Sequence, residues 1–367
     1  MISVTGAQVS DEAAKYIEGV IQRGASDLLL TAGAPPTVRV NGELTALFPE
    51  TMSATEVSTL VRSFVPPERL PALDNLGEVD FSINWMDRVR FRANAFNQRG
   101  SLALALRLIP YAIPSMGTLR LPHPAAELAK LRQGLILVTG PTGSGKTTTM
   151  ASMIDWINQN RACHIVTIED PVEYVHRHSM AIVDQREVGI DTKSFSSALR
   201  AALRQDPDVV LVGEMRDLET IRTAVTVAET GHLVLATLHT NDTGQAIDRI
   251  IDVFPGEQQQ QIKLQLAHTL AGVIYQQLLP TADGNGRVAA FEVLLASTAI
   301  RNLVREGNTR QVRNVLATSM GAGMQTLERS LGELVADGTI TYDEAVGRSL
   351  YPGEIRSGAS PVEGRKK

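Results

Sequence analysis

Leu135 to Met150 reads LILVTGPTGSGKTTTM. Its centre satisfies the spacing G-x-x-x-x-G-K-[ST] at Gly140, Gly145, Lys146 and Thr147, with an apolar strand pattern before it and a helical pattern after it. That context predicts a phosphate-binding loop. Along Gly140, Pro141, Thr142, Gly143, Ser144 and Gly145 the backbone can close around phosphate oxygens, and the helix start at Lys146, Thr147 and Thr148 adds its positive dipole end. Lys146 neutralises phosphate charge, and the Thr147 hydroxyl can ligate Mg²⁺. ATP and Mg²⁺ are therefore the expected ligands.

Working outward, the apolar runs HIVTI, VVLVG and LVLATL follow LILVT at intervals filled by helical patterns. Unbroken apolar strands of this kind indicate a sheet covered on both faces, with parallel order expected, hence an α/β fold. Ligands bind at the carboxyl ends of such strands. In DPDVVLVGEMRD, Glu214 follows a strand and is the candidate to hold Mg²⁺ directly or through water. In HIVTIEDPVEYVH, Glu169 and Asp170 sit at a strand end before Pro171, where one of them can activate the attacking water. The stretch ETGHLVLATLHTND puts two of the chain's 7 histidines, His232 and His239, at the ends of one strand. No nearby cysteine or H-E-x-x-H arrangement supplies further zinc ligands. His239, on the ligand side, is placed to donate a hydrogen bond to a γ-phosphate and report its loss.

The chain has 367 residues, which predicts two domains. Its 43 % hydrophobic and 20 % charged content is ordinary for a globular protein, and no apolar run is long enough to span a membrane. The start, MISVTGAQVSDEAAKY, lacks a basic segment followed by an apolar block, so no secretion signal and a cytoplasmic location are expected. One cysteine, Cys163, excludes an internal disulfide and a zinc site of paired cysteines. A net charge of −5 and a pI near 5.9 argue against a nucleic-acid partner. Residues 1–111 alternate short strand-like runs with turns, VNGE being a hairpin signal, and should form a small α+β domain. Residues 112–124, dense in proline and glycine, are the expected linker. Residues 125–350 form the expected nucleotide-binding domain, whose part after Pro255, including GEQQQQIKLQLAHTLAGVIYQQLL, reads as a helical extension. Residues 351–367 read as a flexible tail.

With the loop, TIEDPVEYVH, LRQDPDVVLVGEMRDLET and AETGHLVLATLHTNDT in this order, the chain resembles the secretion ATPase superfamily that powers type II secretion and type IV pili. The resemblance runs from GASDLLLTAGAPPTVRVNGEL to GMQTLERSLGELVADGTIT. Family usage names the four segments Walker A, Asp box, Walker B and His box. The resemblance implies a PAS-like N-terminal domain, a RecA-like ATPase domain and a homohexameric ring. It assigns Glu169 as the catalytic glutamate, Glu214 as the Walker B acid, and His232 and His239 to the His box. Arginines completing the nucleotide site come largely from the N-terminal domain in this family, which makes Arg88, Arg90, Arg92, Arg99 and Arg107 candidates, with Arg92 and Arg107 preferred.

Within the superfamily the pilus retraction branch is the nearest likeness. The chain starts almost directly with the PAS-like part, lacks the four-cysteine motif of extension enzymes, and carries AIRNLVRE from Ala299 to Glu306, one Ile-to-Val change at Val304 from the branch signature AIRNLIRE. Accessory retraction ATPases usually lack a clean copy. Ile300, Leu303 and Val304 should bury one helix face and leave Arg301, Arg305 and Glu306 for polar contacts. The resemblance implies a motor driving pilus retraction at the inner face of the cytoplasmic membrane, acting on a platform membrane protein and accompanied by an accessory retraction ATPase. Two other readings stay open: another motor of the superfamily, for extension, secretion or DNA transfer, and a non-hydrolysing regulator of a partner ATPase.

Overall fold

A computed structural model describes residues 11–40, 42–86, 89–109 and 112–355. The chain divides into two units, Met1–Ala112 and Ile113–Lys367.

The first unit is built on strands β1 (Asp27–Thr31), β2 (Thr37–Val40), β3 (Glu43–Ala46), β4 (Glu78–Trp85), β5 (Val89–Gln98) and β6 (Ser101–Ile109). They form one antiparallel sheet in the order β3-β2-β1-β6-β5-β4. The VNGE signal joins β2 to β3, where Val40 pairs with Glu43. Alternation along β4 sends Val79, Phe81, Ile83 and Trp85 into the core and Glu78 and Asp80 outward. Helix Ala54–Phe64 covers the inner face with Val57, Leu60, Val61 and Phe64. Its start is fixed by a capping box: Ser53 Oγ accepts the Glu56 N–H at 3.3 Å, and Glu56 Oε2 accepts the Ser53 N–H at 2.7 Å.

The second unit carries β7 (Gly134–Thr139), β8 (His164–Glu169), β9 (Ile182–Glu187), β10 (Val209–Val212), β11 (Leu233–Leu238), β12 (Leu270–Pro280) and β13 (Arg287–Leu295). The order is β13-β12-β7-β11-β10-β8-β9. All neighbours are parallel except β12 with β13. Side chains of β7 alternate between two cores: Ile136 and Val138 meet Met150, Met153, Ile154 and Ile157 of helix Lys146–Asn160, while Leu135 and Leu137 join the core formed with helices Leu218–Glu229, Thr243–Asp252 and Gly256–Thr269. Burial on both faces is why these strands lack polar alternation, each fully buried Leu or Ile contributing about 2 kcal/mol.

The helical reading after Pro255 needs correction. The helix ends at Thr269, and Leu270–Pro280 is strand, β12, which pairs with β7 on one side and β13 on the other. A short apolar run buried on both faces has no period that separates strand from helix. Gly272 marks the strand: a Cβ there would lie 2.8 Å from Leu128 Cδ1 and 2.9 Å from the Leu294 carbonyl oxygen. Helices Thr298–Glu306, Val312–Thr318, Leu327–Ala336 and Tyr342–Arg348 follow β13. Of the expected linker, Leu121 is buried in the core beneath helix Lys146–Asn160. Of the expected tail, Ile355 is buried, Glu354 accepts from Arg313 at 2.8 Å, and Tyr351 stacks on the Arg313 guanidinium at 3.5 Å; residues 356–367 lie outside the described residues. Among the described residues, no helix is long and apolar enough to cross a membrane.

Candidate active site

The loop after β7 turns at Gly140, whose φ is +145°, and a Cβ there would stand 2.3 Å from the Gln276 carbonyl oxygen and 2.7 Å from Ser144 Oγ. Only glycine fits, because β12 passes directly behind the loop. Gln276 also grips the loop from that strand, its Nε2 donating to the Ser144 carbonyl at 2.6 Å. Pro141, Thr142 and Gly143 are exposed, whereas Ser144 and Lys146 are buried. Lys146 Nζ donates to the carbonyls of Gly140 at 2.9 Å and Pro141 at 3.0 Å. Burial lowers its pKa, and the carboxylates of Glu214 and Glu173 oppose that.

Lys146, His239 and Glu214 form a chain. Lys146 Nζ lies 3.4 Å from His239 Nδ1, and His239 Nε2 lies 3.2 Å from Glu214 Oε1. An ammonium only donates and a carboxylate only accepts, so the partners select the neutral tautomer with the proton on Nε2. Burial and then the Lys146 charge lower the His239 pKa, against Glu214. Three strand ends, those of β7, β11 and β10, are thus joined through polar atoms. Glu214 also accepts from Arg216 Nε, and Arg216 is 79 % exposed at the cleft.

Glu169 ends β8 and is buried, 7 % exposed. Its Oε1 accepts from Thr167 Oγ1 at 2.6 Å and Gln185 Nε2 at 3.1 Å. Burial nevertheless pushes its carboxyl up to about 7, those hydrogen bonds opposing the shift. A base with that value is half ionised at neutral pH, where proton abstraction is most effective. Asp170 is exposed beside it. Thr142, Lys146, Thr147, Glu169, Glu214 and His239 all line one cleft of about 370 Å³. A larger cavity of about 550 Å³, bounded by Asp242, Glu292, Arg313 and Glu328, contains none of these groups. Convergent chemistry, rather than size, selects the cleft.

The family model described as type II/IV secretion system protein matches residues 15–347. The chain belongs to this family. It is 44% identical over 331 residues to the type IV pilus retractation ATPase PilT of Pseudomonas aeruginosa, covering 90% of this chain and 96% of that one. It is 46% identical over 310 residues to a twitching motility protein of Neisseria gonorrhoeae, covering 84% of this chain and 83% of that one. The crystal structure of the pilus retraction motor PilT with bound ADP matches with a TM-score of 0.87 at 51% identity, covering 93% of this chain and 97% of that one.

Not every candidate of this type II/IV secretion protein meets at the cleft. His232 precedes β11, at the end of the strand opposite His239 and roughly 20 Å away for a six-residue strand. Its Nδ1 lies 3.0 Å from both Thr230 Oγ1 and the Val227 carbonyl, so within this chain it ties a helix end to a strand start. The arginines belong to the first unit. Arg92 and Arg107 are exposed and directly paired across β5 and β6. Arg107 Nε donates to Asp27 at 2.8 Å, Arg90 Nη2 to Ser82 Oγ at 3.0 Å, Arg99 occupies the β5–β6 turn, and Arg88 lies outside the described residues.

The AIRNLVRE segment falls on helix Thr298–Glu306 of this family member. Ile300 and Val304 are buried and Leu303 packs partly buried against the same core. Arg301 donates to the carbonyls of Ala267 at 2.7 Å, His268 at 2.8 Å and Ala296 at 3.0 Å. It therefore satisfies orphan carbonyls at the end of helix Gly256–Thr269. Sequence reasoning missed Gln276, hidden by the helical reading, and Gln185, on the unrecognised strand β9. Arg216 lies inside the quoted VVLVGEMRD stretch and was readable there as a basic group beside Glu214.

Proposed function

We propose that this chain is the ATP-hydrolysing motor of type IV pilus retraction, working as a homohexamer at the inner face of the cytoplasmic membrane on a platform membrane protein, with an accessory retraction ATPase as a further partner. One observation carries the hydrolytic part: Lys146, Thr147, Glu169, Glu214 and His239 line a single cleft at the carboxyl ends of parallel strands. The pilus assignment is supported by relatives that match nearly end to end and are described as a pilus retraction ATPase and a twitching motility protein. We read the antiparallel unit as PAS-like and the second as a RecA-like P-loop domain with a C-terminal helical part.

In this reading the loop from Gly140 to Thr148 cradles the phosphates of ATP. Lys146 leaves the Gly140 and Pro141 carbonyls for phosphate oxygens. The hydroxyl of Thr147 and the carboxylate of Glu214 are hard oxygen donors on one cleft, which suits Mg²⁺, an ion that keeps several waters and takes few protein ligands. When bound, Mg²⁺ supplies neutralisation of phosphate charge. Glu169 takes the proton of the attacking water as the new P–O bond forms at the γ-phosphorus and the bond to the β-phosphate oxygen breaks, releasing ADP. His239, linked to both Lys146 and Glu214, registers the change and passes it through Thr240 to helix Thr243–Asp252. Arginines of the first unit, Arg92 and Arg107 foremost, and His232 act on the site only through another subunit's contribution in the ring. The test is complementation: in a piliated strain lacking its own retraction ATPase, this chain restores twitching and Lys146→Ala does not. Wild-type protein that assembles yet leaves the pili unretracted contradicts the assignment and favours another motor of the family.

A further inference from the structure

β9 is the edge strand of the seven-stranded sheet, and Gln185 stands opposite Thr167 of β8 in the parallel register. Alternation places Val183, Gln185 and Glu187 on one side of β9. Both polar atoms of the Gln185 side chain are engaged. Its Nε2 donates to Glu169 Oε1 at 3.1 Å and to the Tyr174 carbonyl at 2.8 Å, while its Oε1 accepts the His176 N–H at 2.8 Å. These partners fix the amide's orientation, since a carboxylate and a carbonyl only accept and an N–H only donates.

We propose that Gln185 is the positioning residue for Glu169, setting the direction in which its carboxylate meets the attacking water and locking the Pro171–His176 segment to the same strand. The inference rests on the reading of Glu169 as the base. Thr167 Oγ1 also reaches Oε1, at 2.6 Å, but Thr167 belongs to β8 and moves with Glu169. Gln185 supplies the donor from a second strand. Two donors from different strands on one oxygen hold the last side-chain torsion, leaving Oε2 with a defined heading. The same segment is held again two residues along β9, where Glu187 Oε2 accepts the Val172 N–H at 3.1 Å. It also reaches the nucleotide loop's helix, because Tyr174 Oη lies 3.0 Å from Thr148 Oγ1. Displacement of a catalytic group by about 1 Å can cost roughly a hundredfold in rate, so a single half-buried amide at this junction has a large effect on turnover and little on nucleotide affinity.

The experiment is a double-mutant cycle on the assembled full-length protein, using single-turnover and steady-state phosphate release from Mg²⁺-ATP. Gln185→Leu removes the donors and the acceptor at similar volume, and Gln185→Glu retains the acceptor for His176 while placing a second carboxylate against Glu169. Both are expected to lower kcat by about ten- to a hundredfold with KM for ATP within about twofold, and to cost less than about twofold in a Glu169→Gln background. Thermal melting and oligomer size identify a variant that fails to fold, in which case the other completes the cycle. Equal losses in both backgrounds, or a raised KM with kcat preserved, overturn the inference while leaving Glu169 as base. Normal turnover by Glu169→Gln alone removes the base assignment and the inference together.

Discussion

Glu169 has an ordinary carboxyl value near 4.5 that burial pushes up to about 7. Two pH effects follow with opposite consequences. As a base it must be ionised, so kcat/KM falls as pH drops below about 7, approaching tenfold per unit, and Glu169→Gln leaves only a slow residual turnover that lacks that limb. As a buried acid with a raised pKa it favours the folded state fully below about 4.5, and that contribution is lost as pH rises through about 7. The melting temperature of the wild type therefore falls more between pH 5 and pH 8 than that of Glu169→Gln. Glu214 makes a second case. It accepts from His239 and Arg216 at a strand end beside Lys146, so Glu214→Ala removes the acid while leaving the loop's backbone intact. Turnover is expected to vanish with most nucleotide affinity retained; equal ATPase rates in the two proteins contradict the assignment.

Elements show what was legible in the sequence and what was not. The runs LILVT, HIVTI, VVLVG and LVLATL gave themselves away because a strand buried on both faces is continuously apolar, and each appears where expected as β7, β8, β10 and β11. β9 escaped because its burial alternates and its outer face carries Ile182 at 61 % exposure, as befits an edge. β12 escaped because it continues directly from helix Gly256–Thr269 with no glycine or proline between them. The cleft residues contributed by loop and strand ends were readable as motifs. Gln185 and Gln276 were not, since each acts through strand pairing that no local spacing encodes. Arg301 makes an element-scale prediction. Arg301→Ala uncaps helix Gly256–Thr269 by removing its contacts with the Ala267 and His268 carbonyls and loses a third at Ala296, costing about 2 kcal/mol and visible as a lower melting temperature. Nucleotide binding should be unchanged, because those contacts are remote from the strand ends that form the cleft. Leu303→Ala, which trims a side chain packed partly buried on the same core, is expected to abolish twitching in a stable protein.

For the whole molecule, two units with separate cores and a cleft in the second lined by Lys146, Thr147, Glu169, Glu214 and His239 agree with a motor that converts the state of the nucleotide into movement. The acidic balance, −5 overall, fits a protein that acts on other proteins; salt-sensitive DNA binding would instead favour a DNA-transfer motor. Hydrolysis of ATP by this cleft in an assembled ring is measured as Mg²⁺-dependent phosphate release from the purified, sized oligomer beside Lys146→Ala. Steady turnover by a hexamer, absent in the variant, is the predicted result. A hexamer that binds ATP tightly and releases no phosphate contradicts it and makes the chain a nucleotide-binding regulator of a partner ATPase.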